Sequence, residues 1–237
     1  MIAALLTAAG IGQRMHLETP KQFLRVRGKP ILVHTLERFE RHPDVDAILV
    51  VTLPDQIDEV RGYTTKFGMT KLRWIVAGGD TGQDSIRNGL TELTHHLESD
   101  DIVLVHDGNR PMVSPDIISD AIRSCRLFGS GVPAIPCVEV TYLCDDLSLS
   151  GEPLPRERLR RTQTPHAYPL STLVNAHKEA AVRGITGTAA SVELLQRLGI
   201  PSRFSLGSET NLKITTRDDL AIFRALLAVE QNPAIED

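Results

Sequence analysis

Residues 1–12, MIAALLTAAGIG, join an apolar run to a turn of small residues. The run from Ile2 to Thr7 is continuous rather than alternating, which is typical of a strand buried on both faces of a parallel sheet. Similar runs recur along the chain and leave room for a helix between each pair. They cover residues 47–52, 72–76, 102–106 and, less regularly, 132–138.

Amphipathic patterns fill the intervals between these runs. PILVHTLERFERH begins with Pro30, a favourable first helical residue, and then places Ile31, Leu36 and Phe39 on one face. Further helical patterns cover residues 56–67, 85–97, 115–128, 170–182, 192–198 and 216–229. Alternating strands and helices predict an α/β fold, built as a three-layer sandwich around a mostly parallel sheet.

Residues 139–162 break this alternation. Their turn-rich centre, Ser148 to Pro155, lies between two short extended pieces, which predicts a protruding β-hairpin arm. An arm of this size has little core of its own, so it should fold back over the body or reach a neighbouring subunit. No repeat or linker divides the rest, and we therefore predict one domain over residues 1–237 that carries the arm.

The composition narrows the class of protein. Of the 237 residues, 41% are hydrophobic and 24% charged, which is the balance of a folded globular chain. A net charge of -4 gives no basic field for nucleic acid, so we expect none as a partner. No apolar run approaches the roughly 20 residues that a membrane helix needs, and no signal-peptide pattern opens the chain. We expect a cytoplasmic protein that does not bind membranes.

The loop after the first strand carries small residues followed by cations. Gly10 and Gly12 would let backbone amides approach a phosphate, and Arg14 and Lys21 would add charge. The P-loop pattern is absent, and GxGxxG fails because Met15 occupies the third glycine position. With Ala8, Ala9 and the PKQF of residues 20–23 added, the loop indicates phosphate binding more than a simple tight turn.

Two further loops follow predicted strands, at the sheet edge where α/β proteins bind ligands. AGGDTGQDS, residues 77–85, fits either a glycine turn with an Asp or Ser N-cap or a wall that recognises a base or ribose. HDGNRP places Asp107 at a strand end, where burial of a carboxylate requires a balancing charge. That charge is either Arg110 or a magnesium ion shared with substrate phosphates.

Seven motifs occur in one order along the chain: AAGIGQRM, PKQFL, GKPILVHTL, GGDTGQDSIRNGL, VLVHDGNRP, RTQTPHAYP and NLKIT. With them the chain resembles the 2-C-methyl-D-erythritol 4-phosphate cytidylyltransferases of the non-mevalonate isoprenoid pathway and their ribitol 5-phosphate cytidylyltransferase relatives. The resemblance implies a sugar-nucleotidyltransferase (Rossmann-like) fold, CTP as co-substrate, Mg²⁺, and a homodimer in which the arm crosses to the partner. Pyrophosphate would be the second product.

The resemblance also implies roles for single residues. Arg14 and Lys21 would neutralise the triphosphate and its transition state. Arg156 and Lys213 would orient the acceptor phosphate, with Arg156 serving the other subunit's site. The cytidine pocket would be formed by Ala8, Ala9, Gly10, Gly12, Gly79, Asp80 and Ser85.

The remaining implied residues surround the acceptor. Asp107 would contact magnesium or the ribose side, with Gly108 beside it on the nucleotide. Arg110 and Thr141 would bind the acceptor substrate. A gapless comparison puts Val140 at the family's threonine position, and a slip of one residue restores Thr141.

Departures from the family pattern cluster on this acceptor side. Gly108 and Asn109 replace two small apolar residues, and Gly82 replaces an arginine. The family's acidic TD motif is missing from ITGTAAS, residues 185–191. We therefore expect cytidylyl transfer, with methylerythritol phosphate first as acceptor because DSIRNGL is closer to that branch. Ribitol 5-phosphate or another polyol phosphate, for cell-surface polymer synthesis, is the alternative.

Two other classes compete with this interpretation. A nucleotide-binding module that has lost turnover would not need cations from both ends of the chain. A glycosyltransferase would need a DxD metal motif, and the close acidic pair of the arm, Asp145 and Asp146, follows no clear core strand. We expect instead that Arg14, Lys21 and Lys213 converge on one pocket.

Overall fold

The fold is described from a computed structural model that covers residues 1–10 and 20–231. Its strands are β1 (Ile2–Ala8), β2 (Arg25–Val26), β3 (Lys29–Pro30), β4 (Ala47–Thr52), β5 (Leu72–Ala77), β6 (Ile102–Asp107), β7 (Val132–Pro136), β8 (Thr141–Leu143), β9 (Glu152–Leu154), β10 (Arg160–Thr162), β11 (His166–Pro169) and β12 (Phe204–Leu206). Its helices are α1 (Ile31–Glu40), α2 (Ile57–Phe67), α3 (Gly82–Leu93), α4 (Pro115–Phe128), α5 (Leu170–Val182), α6 (Ser191–Arg197) and α7 (Arg217–Gln231). Single 3₁₀ turns lie at residues 21–23, 54–56 and 156–158.

The central sheet has the strand order β11-β6-β1-β4-β5. Strands β1, β4, β5 and β6 are parallel, and β11 is antiparallel to β6. The first four apolar runs therefore form strands as predicted; three of them are buried within the sheet, and the fourth, β5, is its half-buried edge strand. Strand β1 lies in the middle, so the loop that follows it emerges at the centre of the sheet edge.

Helices cover both faces of this sheet. Alternate residues of β1 face opposite sides, so Leu5 packs with Leu90 of α3 while Leu6 packs with the cluster that contains Phe39 of α1 and Ile118 of α4. Each face thus has its own apolar cluster, which confirms the predicted three-layer α/β sandwich.

Three features differ from the expectation, two in the sheets and one at the start of α1. The irregular run at 132–138 forms β7 outside the central sheet, in a second sheet of order β10-β7-β12. The fifth place in the central sheet goes to β11, whose four residues include Pro169 and give no strand signal of useful length. Pro30, expected as the first helical residue, is instead the N-cap of α1.

The predicted arm contains a hairpin. Strands β8 and β9 pair antiparallel, and large apolar side chains around them are exposed, among them Leu143, Leu147 and Leu149. Strand β10 then pairs with β7, so the chain has rejoined the body at Arg160, before the predicted end of the arm. Among the described residues no helix is long and apolar enough to cross a bilayer.

Candidate active site

A cleft of about 440 Å³ opens at the carboxyl ends of β1 and β6. This is the edge at which the sequence predicted function, because loops after parallel strands meet there. Its walls come from the loops after β1, β5 and β6, from residues 162–166 and 189–191, and from Lys213. Lys21 and Lys213, one from each end of the chain, therefore line the same cavity.

The end of β1 and the first residues after it are bound by a side chain that was not among the predicted site residues. Gln22 is buried, and its Nε2 donates to Ala8 O at 2.6 Å and to Gly10 O at 3.1 Å. Ala8, Ala9, Gly10 and Lys21 line the cleft. Gln22 lies within the same PKQF motif as Lys21, which was the available signal. Gly12 and Arg14 lie outside the described residues.

The loop before α3 forms a second wall with Gly79, Asp80 and Ser85. The backbone N–H of Gly79 donates to Ser85 Oγ at 3.1 Å, and a Cβ at residue 79 would come within 2.5 Å of Asp84 Cβ. A glycine is therefore required where the loop touches the helix. The expected Asp or Ser N-cap is wrong, because Thr81 caps α3 by accepting from the N–H of Asp84 at 3.1 Å.

Asp107 sits between two cations at the end of β6. Lys213 Nζ donates to Asp107 Oδ1 and Arg110 Nε donates to Oδ2, both at 2.9 Å. Burial by itself raises the pKa of the Asp107 carboxyl, but Lys213 and Arg110 outweigh it and hold that pKa well below its ordinary value. The group is an ion triad with a surplus positive charge, suited to an anionic ligand.

Two buried histidines, His106 and His166, interact electrostatically with Asp107. Burial lowers the pKa of His106 to about 3 and that of His166 to about 4, so both rings are uncharged near pH 7. The Thr164 hydroxyl accepts from the Asp107 N–H at 3.1 Å and lies 3.0 Å from His106 Nδ1. The Asp107 backbone is thus fixed by its hydrogen bond to Thr164. Because His106 stays neutral near pH 7, protonation of its ring does not disturb this arrangement.

Three predicted residues do not line the cleft of their own chain. Arg156 lies on the exposed arm, where its Nη1 donates to Val138 O at 3.3 Å, and Thr141 begins β8, where its Oγ1 donates to Glu139 O just before the strand at 3.4 Å. Gly108 packs behind the wall, where a Cβ would lie 2.9 Å from Thr7 O. Residue 108 is therefore a close-packing position between β6 and β1.

The family resemblance implies a magnesium ion, and the side chains of the cleft show whether the protein alone could bind one. Both Asp107 oxygens already accept from cations, and no group of three or more His, Cys, Asp or Glu side chains in the described part of the chain could hold a metal. A metal held by protein side chains alone does not fit these residues. Mg²⁺ commonly binds such sites through substrate phosphates with only one or two carboxylates.

An α/β fold with a cationic cleft at the carboxyl ends of its strands suits an enzyme that acts on anionic substrates, and a family match over most of the chain makes this enzyme a nucleotidyltransferase. Residues 2–229 match the family model described as 2-C-methyl-D-erythritol 4-phosphate cytidylyltransferase, and the chain belongs to that family. The family resemblance drawn from the motifs is confirmed.

Relatives within the family carry two names. The ribitol-5-phosphate cytidylyltransferase of Lacticaseibacillus paracasei is 39% identical over 229 residues, covering 96% of this chain and 98% of the relative. The 2-C-methyl-D-erythritol 4-phosphate cytidylyltransferase of Syntrophus aciditrophicus is 38% identical over 231 residues, covering 97% of each. A crystal structure of the Francisella tularensis 2-C-methyl-D-erythritol 4-phosphate cytidylyltransferase aligns with a TM-score of 0.80 at 27% identity, over 94% of this chain and 98% of that one.

Proposed function

We propose that the protein transfers CMP from CTP to ribitol 5-phosphate and releases pyrophosphate. The observation that carries the proposal is the convergence of Lys21, Lys213 and Arg110 on one cleft. Two anionic reactants repel each other, so an enzyme that joins them must supply positive charge at the point where they meet.

The proposed reaction needs no covalent intermediate. A phosphate oxygen of the acceptor attacks the α-phosphorus of CTP, and the bond from that phosphorus to the pyrophosphate oxygen breaks in line. Lys21 would neutralise the triphosphate, and Lys213 would hold the acceptor phosphate. Arg110 and Asp107 fix the position of Lys213, because the carboxylate bridges the two cations.

The sequence alone favoured methylerythritol phosphate as acceptor and gave ribitol 5-phosphate as the alternative. The proposal reverses this ranking. The first five relatives are named ribitol-5-phosphate cytidylyltransferases, at 34–39% identity. These relatives support ribitol 5-phosphate as acceptor at least as well as the other relatives support methylerythritol phosphate. Methylerythritol phosphate remains the second candidate because of relatives at 37–38% identity.

The cleft itself also favours a hydroxyl-rich acceptor. Ser191 lines it, is 2% exposed, and its Oγ has no hydrogen-bond partner among the described residues. A buried hydroxyl without a partner costs free energy, which a substrate hydroxyl would offset. At Gly82 a Cβ would meet nothing within 4 Å, so the missing arginine leaves open space for substrate at this wall.

Pyrophosphate release from CTP, measured with ribitol 5-phosphate, with methylerythritol phosphate and with no acceptor, tests the proposal. We expect kcat/KM for ribitol 5-phosphate to exceed that for methylerythritol phosphate by about tenfold or more, since a site built to bond a hydroxyl discriminates against a substrate that lacks it. The Ser191→Ala variant should narrow this ratio. Faster use of methylerythritol phosphate would favour the second candidate.

The same assay separates the competing classes. A binding module releases no pyrophosphate with any acceptor, and a glycosyltransferase requires a preformed nucleotide sugar. CTP should be preferred to ATP and UTP because the wall of Gly79, Asp80 and Ser85 resembles the family's cytidine pocket, and equal or faster use of ATP or UTP would overturn the cytidine assignment.

We propose further that the enzyme is a homodimer that takes Mg²⁺ with its nucleotide and works in the cytoplasm, where nucleoside triphosphates are supplied. The exposed apolar side chains of the arm support a dimer, because contact with a partner would bury them. Arg156 and Thr141 would then complete the partner's cleft.

A further inference from the structure

A second cavity lies between α3 and α5, away from the catalytic cleft. Its volume is about 450 Å³, and it shares no lining residue with the cleft. Leu90 and Val174 form an apolar floor, and Ala181 lies at one end. The size is that of a small-molecule pocket rather than of a packing defect.

One polar group in this cavity has no protein partner. His177 lines it and is 6% exposed, and its Nε2 is buried without a hydrogen-bond partner among the described residues. Buried ring nitrogens in native proteins are nearly always paired. The mechanism proposed above makes no use of His177, so its burial needs another explanation.

The rim of the cavity is positive. Arg87 and Lys178 both line it, and no acidic side chain does so among the described residues. Asp84 on α3 pairs with Arg87 at 2.9 Å and offsets its charge, so the net positive charge of the rim comes from Lys178. Cations above an apolar floor complement a ligand with one anionic head and one apolar body.

We propose that this groove between α3 and α5 binds a small amphipathic anion, a carboxylate, sulfonate or phosphate on an apolar body. The anionic head would accept from His177 Nε2–H and lie between Arg87 and Lys178, and the body would cover Leu90 and Val174. This site goes beyond the proposed transferase activity and does not depend on it.

A matched pair of dyes tests the site. Anilinonaphthalenesulfonate has an anionic head and an apolar body, and N-phenyl-1-naphthylamine is its neutral counterpart. Both are titrated by fluorescence into the full protein with CTP at saturation, so that the catalytic cleft is occupied. We expect the sulfonate to bind about tenfold or more tightly than the neutral dye, the range for hydrogen bonds to charged groups.

Substitutions in the groove then show whether the dyes bind there. His177→Phe keeps the ring volume and should weaken sulfonate binding about tenfold while the melting temperature holds or rises, because the unpaired nitrogen is removed. R87Q/K178Q should abolish the preference for the anion, and Ala181→Trp should block both dyes. Lys66→Gln, an exposed lysine on α2, is the matched control.

Three results would overturn the proposal. They are equal binding of the two dyes, absence of binding by either, and sulfonate binding unchanged in both His177→Phe and Ala181→Trp. A circular-dichroism spectrum and a melting temperature of Ala181→Trp that match those of the wild type show that the variant is folded, so loss of dye binding there is a property of the groove.

Discussion

Asn109 and Ile214 hold each other through two hydrogen bonds. Asn109 Nδ2 donates to Ile214 O at 2.5 Å, and the Ile214 N–H donates to Asn109 O at 2.9 Å. Both residues are buried. Because Asn109 stands two positions after Asp107 and Ile214 directly follows Lys213, this pairing fixes the backbone on each side of the Lys213–Asp107 ion pair. Arg110 adds a third tie by donating to Asn211 O at 2.7 Å.

The first prediction concerns Asn109→Ala. Loss of the amide removes the side-chain bond to Ile214 O and loosens the segment that carries Lys213, and a charge that is less well preorganised stabilises a transition state less well. We expect kcat to fall about tenfold or more with a smaller change in the KM for CTP. In a Lys213→Ala background the same change should cost less than about twofold, because contacting residues are not additive. Equal losses in both backgrounds would refute the positioning role.

The second prediction concerns the cations themselves. Lys21→Ala and Lys213→Ala should each lower kcat by about 10²-fold or more, the loss seen when one preorganised charge-stabilising donor is removed. Arg14→Ala should do the same, because Arg14 is predicted to neutralise the same triphosphate. Steady-state pyrophosphate release measures the effect, with Lys66→Ala on α2 as the control that should keep full activity.

The third prediction separates two roles for Asp107. Because both of its oxygens accept from cations, we expect Asp107→Asn to lower kcat while the half-saturating Mg²⁺ concentration changes by less than about twofold. A Mg²⁺ titration of the two proteins at fixed CTP checks this. A shift of tenfold or more would identify Asp107 as a metal ligand, as the family resemblance implies.

The fourth prediction tests whether the arm serves the partner. Arg156→Ala and Lys213→Ala homodimers should both be nearly inactive. Mixed in equal amounts, they should recover about a quarter of wild-type activity, because half of the dimers are hybrids and each hybrid has one complete site. No recovery after subunit exchange, or a fully active monomer in sedimentation, would contradict a shared site.

The fifth prediction concerns pH. Burial, with a contribution from the charge of Arg87, lowers the pKa of His177 to about 4, against about 6.5 in the unfolded chain. The unfolded state therefore binds more protons between these values, and the free energy of unfolding must fall as the pH drops through that window. Denaturant titrations at pH 7.5 and 5 should show His177→Phe losing about 2 kcal/mol less than wild type over this interval. An identical loss in both proteins would contradict a neutral buried His177.

Local pattern was enough to predict much of the architecture. The runs that became β1, β4, β5 and β6 were each predominantly apolar, with Arg73 of the edge strand β5 as the exposed exception, and a run of this kind is typical of a strand in a buried parallel sheet. The position of the site followed as well, since the loops after parallel strands must meet at one edge. The ordered motifs within those loops identified the family.

Packing between distant segments decided the rest. Strand β7 joined a separate sheet and the short β11 took its place, which no local periodicity encodes. Lys213 gave no signal of its own, yet it reaches Asp107 across 106 positions because Asn109 and Arg110 bind the segment that carries it. Such contacts depend on how the layers pack, and a linear sequence records only which side chains are available to make them.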